Sequence, residues 1–228
     1  MNNITLNNIK EPSYLVREAI NQLKTNIEFS GDDINTLLVT SSGPNEGKST
    51  IAFELAKSFA EEGKHVCYVD ADLRKSVFNT RYQIKAEQQI TGLSNILSRS
   101  PNASDAICKT NLPNLFVILS GHLSPDPTTL FKGERMSQLL TLLKEHFDYA
   151  IIDIAPLGAV IDAAVVAPKC DGTLLVVANN ETSARVARRV KKQLEMANAR
   201  ILGVVFNKVE VSNNKYYYYY GEKGKARK

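Results

Sequence analysis

Thr36-Leu37-Leu38-Val39-Thr40-Ser41-Ser42-Gly43-Pro44-Asn45-Glu46-Gly47-Lys48-Ser49-Thr50 is the stretch that decides the fold. Its opening residues, Thr36–Thr40, make an apolar run of strand length. Ser42–Thr50 then follow the spacing G-x-x-x-x-G-K-[ST], with Ser42 in place of the first glycine. From Ser49 to Glu62 the pattern is helical, with Ile51, Leu55 and Phe59 at i, i+4 and i+8 and Gly63 as the stop. Strand, loop and helix in this order make a phosphate cradle, because loop N–H groups converge on an anion that the helix N-terminus also attracts. The chemistry implied is Mg-ATP binding, with Lys48 bridging the β- and γ-phosphates and the Ser49 hydroxyl on Mg²⁺. Ser42, Gly43, Pro44, Asn45, Glu46, Gly47, Lys48, Ser49 and Thr50 are all expected at the nucleotide.

Two carboxylate motifs lie further along the chain. Tyr149-Ala150-Ile151-Ile152-Asp153 ends an apolar run in an acid and continues into Ile154-Ala155-Pro156, the Walker B arrangement. Asp153 is therefore expected at a strand C-terminal end, facing the loop and holding Mg²⁺. Val66-Cys67-Tyr68-Val69 leads into Asp70-Ala71-Asp72-Leu73-Arg74, which sets two carboxylates and an arginine just beyond another strand. Asp70 and Asp72 suit metal binding and acceptance of a proton from an attacking hydroxyl, with Ser49, Asp70 and Asp153 as the expected metal set. Asn207, after the last apolar run, is a weaker nucleotide candidate.

Further runs at His65–Asp70, Leu115–Leu119, Thr173–Ala178 and Ile201–Phe206 are continuous rather than alternating, as in parallel strands covered on both faces. Arg135–His146 and Thr182–Ala197 read as helices between them. The expectation is an α/β doubly wound, mostly parallel sheet. Pro12–Phe29 reads as an added N-terminal helix, apolar at Leu15, Ala19, Leu23 and Ile27, packed on its own domain or against another subunit. Residues 1–211 form the expected domain, and 212–228 a mobile tail with five consecutive tyrosines, Tyr216, Tyr217, Tyr218, Tyr219 and Tyr220.

Composition excludes several classes. With 228 residues, 43% hydrophobic and 23% charged, the chain suits one α/β domain. It holds no run of about 18 apolar residues, and Met1–Lys10 has no secretion-signal pattern, so the cytoplasm is the expected compartment. Cys67, Cys108 and Cys170 are scattered and odd in number, and His65, His122 and His146 lack metal-ligand spacing. Beyond Val211 five basic residues oppose one acid, Glu222, so the tail carries the whole formal charge of +4. A body neutral overall argues against a general nucleic-acid surface.

The ordered set resembles the bacterial tyrosine kinases, the cytoplasmic autokinases of capsular and exopolysaccharide synthesis. Ser41–Thr50, Val69–Arg74 and Ile151–Pro156 carry the resemblance. It continues through Ser120-Gly121, Pro125-Asp126-Pro127, Phe147-Asp148-Tyr149, Asp162-Ala163, Cys170-Asp171-Gly172 and Gly203–Lys208 to the tyrosine cluster. The resemblance implies a P-loop fold shared with the septum-positioning (MinD-like) and partitioning (ParA-like) ATPases, and catalysis through Lys48, Asp70, Asp72 and Asp153. It also implies autophosphorylation of Tyr216–Tyr220 in trans within a homo-oligomer. Implied partners are a transmembrane co-polymerase adaptor that activates the kinase at the inner membrane face and a cognate phosphotyrosine phosphatase.

One departure stands out. Where the family carries E-x-x-R-x-x-R, this chain has Glu18, Asn21 and Lys24. Two alternatives share the fold or the site. A partitioning or septum-positioning ATPase would carry a lysine five residues before Lys48, where this chain has Gly43, and has no use for a tyrosine tail. A non-catalytic, ATP-dependent scaffold would not need Asp70, Asp72 and Asp153 intact. A tyrosine hydroxyl ionises near pH ~10, so its attack needs a positioned carboxylate and Mg²⁺, and each phosphate then adds about −1.5 to −2 charges to the tail.

Overall fold

A computed structural model describes residues 2–86, 88–98 and 102–210. The tyrosine cluster and the rest of 212–228 lie outside the described residues. In chain order the first elements are β1 (Asn2–Thr5), α1 (Tyr14–Glu28), β2 (Thr36–Ser41), α2 (Lys48–Glu61) and β3 (Val66–Ala71). Next come α3 (Phe78–Tyr82), β4 (Lys85–Ala86), α4 (Leu93–Ser98), β5 (Ile107–Lys109), β6 (Leu115–Ile118) and α5 (Pro127–Lys132). The chain continues through α6 (Glu134–His146), β7 (Tyr149–Ile154), α7 (Asp162–Val166), β8 (Gly172–Ala178), α8 (Ala184–Met196) and β9 (Ile201–Asn207).

The strands form one nine-stranded sheet in the order β4-β1-β5-β6-β3-β7-β2-β8-β9. From β6 to β9 every pairing is parallel; β5 runs antiparallel to β6, β1 lies parallel to β5, and β4 is antiparallel to β1. Every residue of β2, β3 and β8 is buried, which is why these strands read as unbroken apolar runs. Alternate residues feed two cores. Leu38, Ile152 and Leu175 pack on the α6 side, whereas Leu37, Val39, Ile151 and Val176 pack under α2.

Register sets the site. Asp70 on β3 lies beside Asp153 on β7, and Asp153 beside Val39 on β2. The chain leaves β2 for β3 on one side, while β7 connects to β8 on the other, so the sheet's winding reverses at β2. Ligands of open α/β sheets bind at such a point, beyond the strand C-termini.

The N-terminal helix differs in detail from its sequence pattern. Ser13 caps α1 by accepting from the Val16 amide, and the buried face is Ile20, Lys24 and Ile27. Leu15 and Ala19, two of the four positions of the apolar pattern, are exposed. The helix rolls because Lys24 is drawn inward to the Glu62 carboxylate of α2, with its stem along apolar surface. Tyr14, Leu15 and Val16 remain exposed. Among the described residues no helix is long and apolar enough to cross a membrane.

Candidate active site

The loop between β2 and α2 is shaped by residues that force it to turn. Asn45 has φ 62° and Gly47 φ 88°. A Cβ on Gly47 would lie 2.0 Å from Asn207 Nδ2, so glycine is required twice over, by conformation and by space. Gly158, in the segment after β7, is held to the same limit: its Cβ would stand 1.8 Å from the Ser42 carbonyl. The first turn of α2, at Lys48, Ser49 and Thr50, presents N–H groups that no helical carbonyl accepts, and these face the cradle.

Glu46 sits inside this loop with its carboxylate turned back rather than toward the cradle. It accepts from the Ser42 amide at 2.7 Å, the Gly43 amide at 2.8 Å and the Ser42 hydroxyl at 2.5 Å. Thr182, just before α8, donates to the same carboxylate. Asn207 at the end of β9 donates Nδ2 to the Glu46 carbonyl at 2.9 Å. Two N–H groups of the loop are therefore spent on its own scaffold. Glu46, Ser42 and Asn207, all expected at the nucleotide, meet here as the back wall of the loop.

The acidic motifs converge in front of it. Lys48 Nζ lies 2.8 Å from Asp153 Oδ1, 3.1 Å from Ser49 Oγ and 3.9 Å from Asp72 Oδ2. Tyr68, two residues before Asp70 and on the same face of β3, donates its hydroxyl to Asp153 Oδ2 at 2.7 Å. Its ring is stacked on Phe78 and edge-on to Phe53, and burial beside Asp153 keeps that hydroxyl protonated. Asp70 is buried and accepts from Ser76 Oγ at 2.5 Å. Burial, with the Asp153 charge adding to it, pushes its carboxyl up to about 7 against the pull of Ser76, Ser120 and Lys48.

Asp72 differs from Asp70: it lines a cavity of about 430 Å³ with the phosphate loop, Lys75 and Arg81. Arg81 donates to Thr50 Oγ1 at 2.7 Å, tying α3 to the start of α2. Arg74, also on the cavity wall, forks its guanidinium onto the buried Asp162 at 2.6 and 3.0 Å, where Thr128 also donates. This clamp fixes the loop after β3 to α5 and α7.

Lys48, Ser49, Asp70, Asp72 and Asp153 are thus brought together. Tyr68, Thr182, Gly158, Ser76 and Arg81 were not foreseen. Tyr68 is one apolar-looking position in a strand, and Thr182 and Gly158 act from distant segments, so spacing holds no trace of them.

Comparison with known proteins follows this geometry. A family model described as an AAA domain matches residues 43–201. Tyrosine-protein kinase CpsD of Streptococcus pneumoniae is 43% identical over 210 residues, covering 91% of this chain and 92% of the relative. The chain belongs to the bacterial tyrosine-protein kinases. Tyrosine-protein kinase YwqD of Bacillus subtilis (strain 168) is 34% identical, covering 93% of this chain and 90% of the relative. The kinase domain of Escherichia coli tyrosine kinase ETK superposes with a TM-score of 0.81 at 28% identity, covering 90% of this chain and 84% of that one. The doubly wound P-loop architecture expected from Thr36–Thr50 is the fold of this family.

The donor set fits Mg²⁺. Ser49 Oγ and the carboxylates of Asp70, Asp72 and Asp153 are all hard oxygen ligands. Among the described residues no group of three acidic, histidine or cysteine side chains forms a ready-made cage. Mg²⁺ is ordinarily held by one or two carboxylates, a hydroxyl and substrate phosphates, so a partial set is the appropriate one.

Proposed function

We propose that this kinase transfers the γ-phosphoryl group of ATP to its own tyrosines, Tyr216–Tyr220, from one subunit to another. The observation that carries this reading is the convergence of Lys48 with Asp72 and Asp153 on a phosphate loop, in a chain that carries five consecutive tyrosines at 216–220. The amides of Lys48–Thr50 and the Lys48 ammonium bind and orient the phosphates. Lys48 exchanges Asp153 for the phosphates when ATP enters, which frees Asp153 for metal. Ser49, Asp153 and Asp70 would hold Mg²⁺, which neutralises charge on the β- and γ-phosphates. Asp72, facing the cavity, accepts the proton of the incoming tyrosine hydroxyl. The tyrosine oxygen bonds to phosphorus as the bond to the β,γ-bridging oxygen breaks, and ADP leaves with that electron pair.

The family resemblance supports the wider setting: a membrane adaptor recruits and activates the kinase, a phosphatase reverses it, and polysaccharide synthesis and export are the process regulated. Transfer between subunits is tested by mixing Lys48→Met chains, which keep the tyrosines, with chains in which Tyr216–Tyr220 are phenylalanine. Phosphate on the Lys48→Met chains is the expected result. Labelling of wild type together with no labelling in the mixture would refute transfer in trans.

A further inference from the structure

The body of this protein is neutral in sum, yet α8 is strongly polarised. It packs on the sheet through Val190 and Leu194, both fully buried. Opposite them Arg185, Arg188, Arg189 and Lys192 recur at i, i+3, i+4 and i+7, so they share one face, and all four are exposed. Glu195, the one acid of the helix, is paired with Lys191 to the side of this stripe. Among the described residues none of the four has an ion-pair partner. Repulsion within such a stripe is unfavourable unless an anion covers it.

The chain itself supplies a segment of the right reach. β9 ends at Asn207, and Lys208 is tied to Glu181 at 2.7 Å, three residues before α8 begins. The tail therefore starts at the N-terminal end of the cationic stripe. From Glu210 to Tyr216 the chain spans up to ~20 Å, about the length of α8. Unmodified, residues 211–228 carry +4 and are repelled by α8. At about −1.5 to −2 per phosphate, three phosphotyrosines already reverse the sign.

We propose that α8 is a docking face for the chain's own phosphorylated tail, with Arg185, Arg188, Arg189 and Lys192 receiving the phosphotyrosines of Tyr216–Tyr220. This rests on the autokinase reading above, and adds a charge-operated switch to it. The unmodified tail is kept off α8 and stays available as an acceptor. The modified tail is retired onto α8, where arginine forks pair with phosphate and tethering raises the local concentration. Thr182 links the start of α8 to Glu46, so the docked tail lies one residue pair away from the scaffold of the phosphate loop.

The test uses the full-length Lys48→Met chain and a fluorescent synthetic peptide of residues 211–228, with or without phosphate on its tyrosines. Binding is read by anisotropy, so it is independent of whether the kinase labels itself. The phosphopeptide should bind and the unmodified peptide should not. Affinity should fall about tenfold or more in Arg185→Gln/Arg188→Gln/Arg189→Gln/Lys192→Gln, and by a similar factor between low and ~0.3 M salt. An Arg188→Gln/Lys192→Gln pair should give an intermediate loss and guards against misfolding of the fourfold variant. Equal phosphopeptide binding to the unaltered and altered helices overturns the proposal, as does no binding at low salt. Vesicles with about 30% anionic lipid form the other arm: α8-dependent vesicle binding without phosphopeptide binding would assign the stripe to a membrane surface instead.

Discussion

Glu46→Ala is the most revealing perturbation of the phosphate loop. It strips one carboxylate from two backbone amides and two hydroxyls. The hydroxyls of Ser42 and Thr182 can rotate to other partners, but the amides of Ser42 and Gly43 are fixed by the turn. Ser42 is 4% exposed, so its amide loses a charge-assisted bond with no ready water to replace it. Each such loss costs about 1.5–3 kcal/mol when the acceptor is charged, and the partly exposed Gly43 amide costs less, giving ~2–4 kcal/mol of unfolding free energy. If about 1.4 kcal/mol of that is relieved by the loop relaxing out of its phosphate-binding shape, the ADP dissociation constant rises about tenfold. Glu46→Gln should rescue only part of the loss: its carbonyl oxygen can accept from both amides while its NH₂ donates to the Ser42 and Thr182 hydroxyls, but without the carboxylate's charge. Urea unfolding and titration with a fluorescent ADP analogue measure both effects. Unchanged stability and unchanged ADP affinity in Glu46→Ala, or full rescue by glutamine, would refute the reasoning.

Tyr68→Phe removes the hydroxyl that holds Asp153 Oδ2 while keeping the stacked ring. The Mg²⁺ concentration for half-maximal labelling should rise several-fold, with metal-free ADP binding unchanged and stability lower by about 1–2 kcal/mol. Asp70→Asn tests the raised carboxyl at about 7. Because the folded pKa exceeds the ordinary value of 3.8, the folded state holds the extra proton, and wild-type stability from this group falls as pH rises from about 4 through 7. In metal-free protein the variant should therefore gain on wild type by about 1–3 kcal/mol at pH 8, less than the ~4 kcal/mol that the shift implies because Ser76 loses a charged acceptor, with the gap closing by pH ~5. A gap independent of pH would count against burial as the cause. The same variant should lose labelling.

Thr36–Thr50 made both fold and cradle legible, because its apolar run, glycine and lysine answer to local geometry. The strands at His65–Asp70, Tyr149–Asp153 and Thr173–Ala178 were equally plain, since burial on both faces leaves no polar interruption. The sheet's far edge was not. β1, β4 and β5 are two to four residues long and hold too few side chains to show a period. α3, α4, α5 and α7 are five or six residues, shorter than two helical turns. Asp70 and Asp153 could be named from their strand ends, but their adjacency is a fact of register. The inward turn of Glu46 was illegible because its partner Thr182 is 136 residues away. The burial of Lys24 was illegible for the same reason: its partner Glu62 lies 38 residues on, at the C-terminal end of α2.

The most direct test incubates residues 1–228 with Mg-ATP and the cytoplasmic segment of the membrane adaptor proposed above, then maps phosphate by mass spectrometry. Phosphate on Tyr216–Tyr220, absent from Lys48→Met and abolished by chelating Mg²⁺, is the predicted result. Steady ATP hydrolysis with all five tyrosines unmodified would contradict the account.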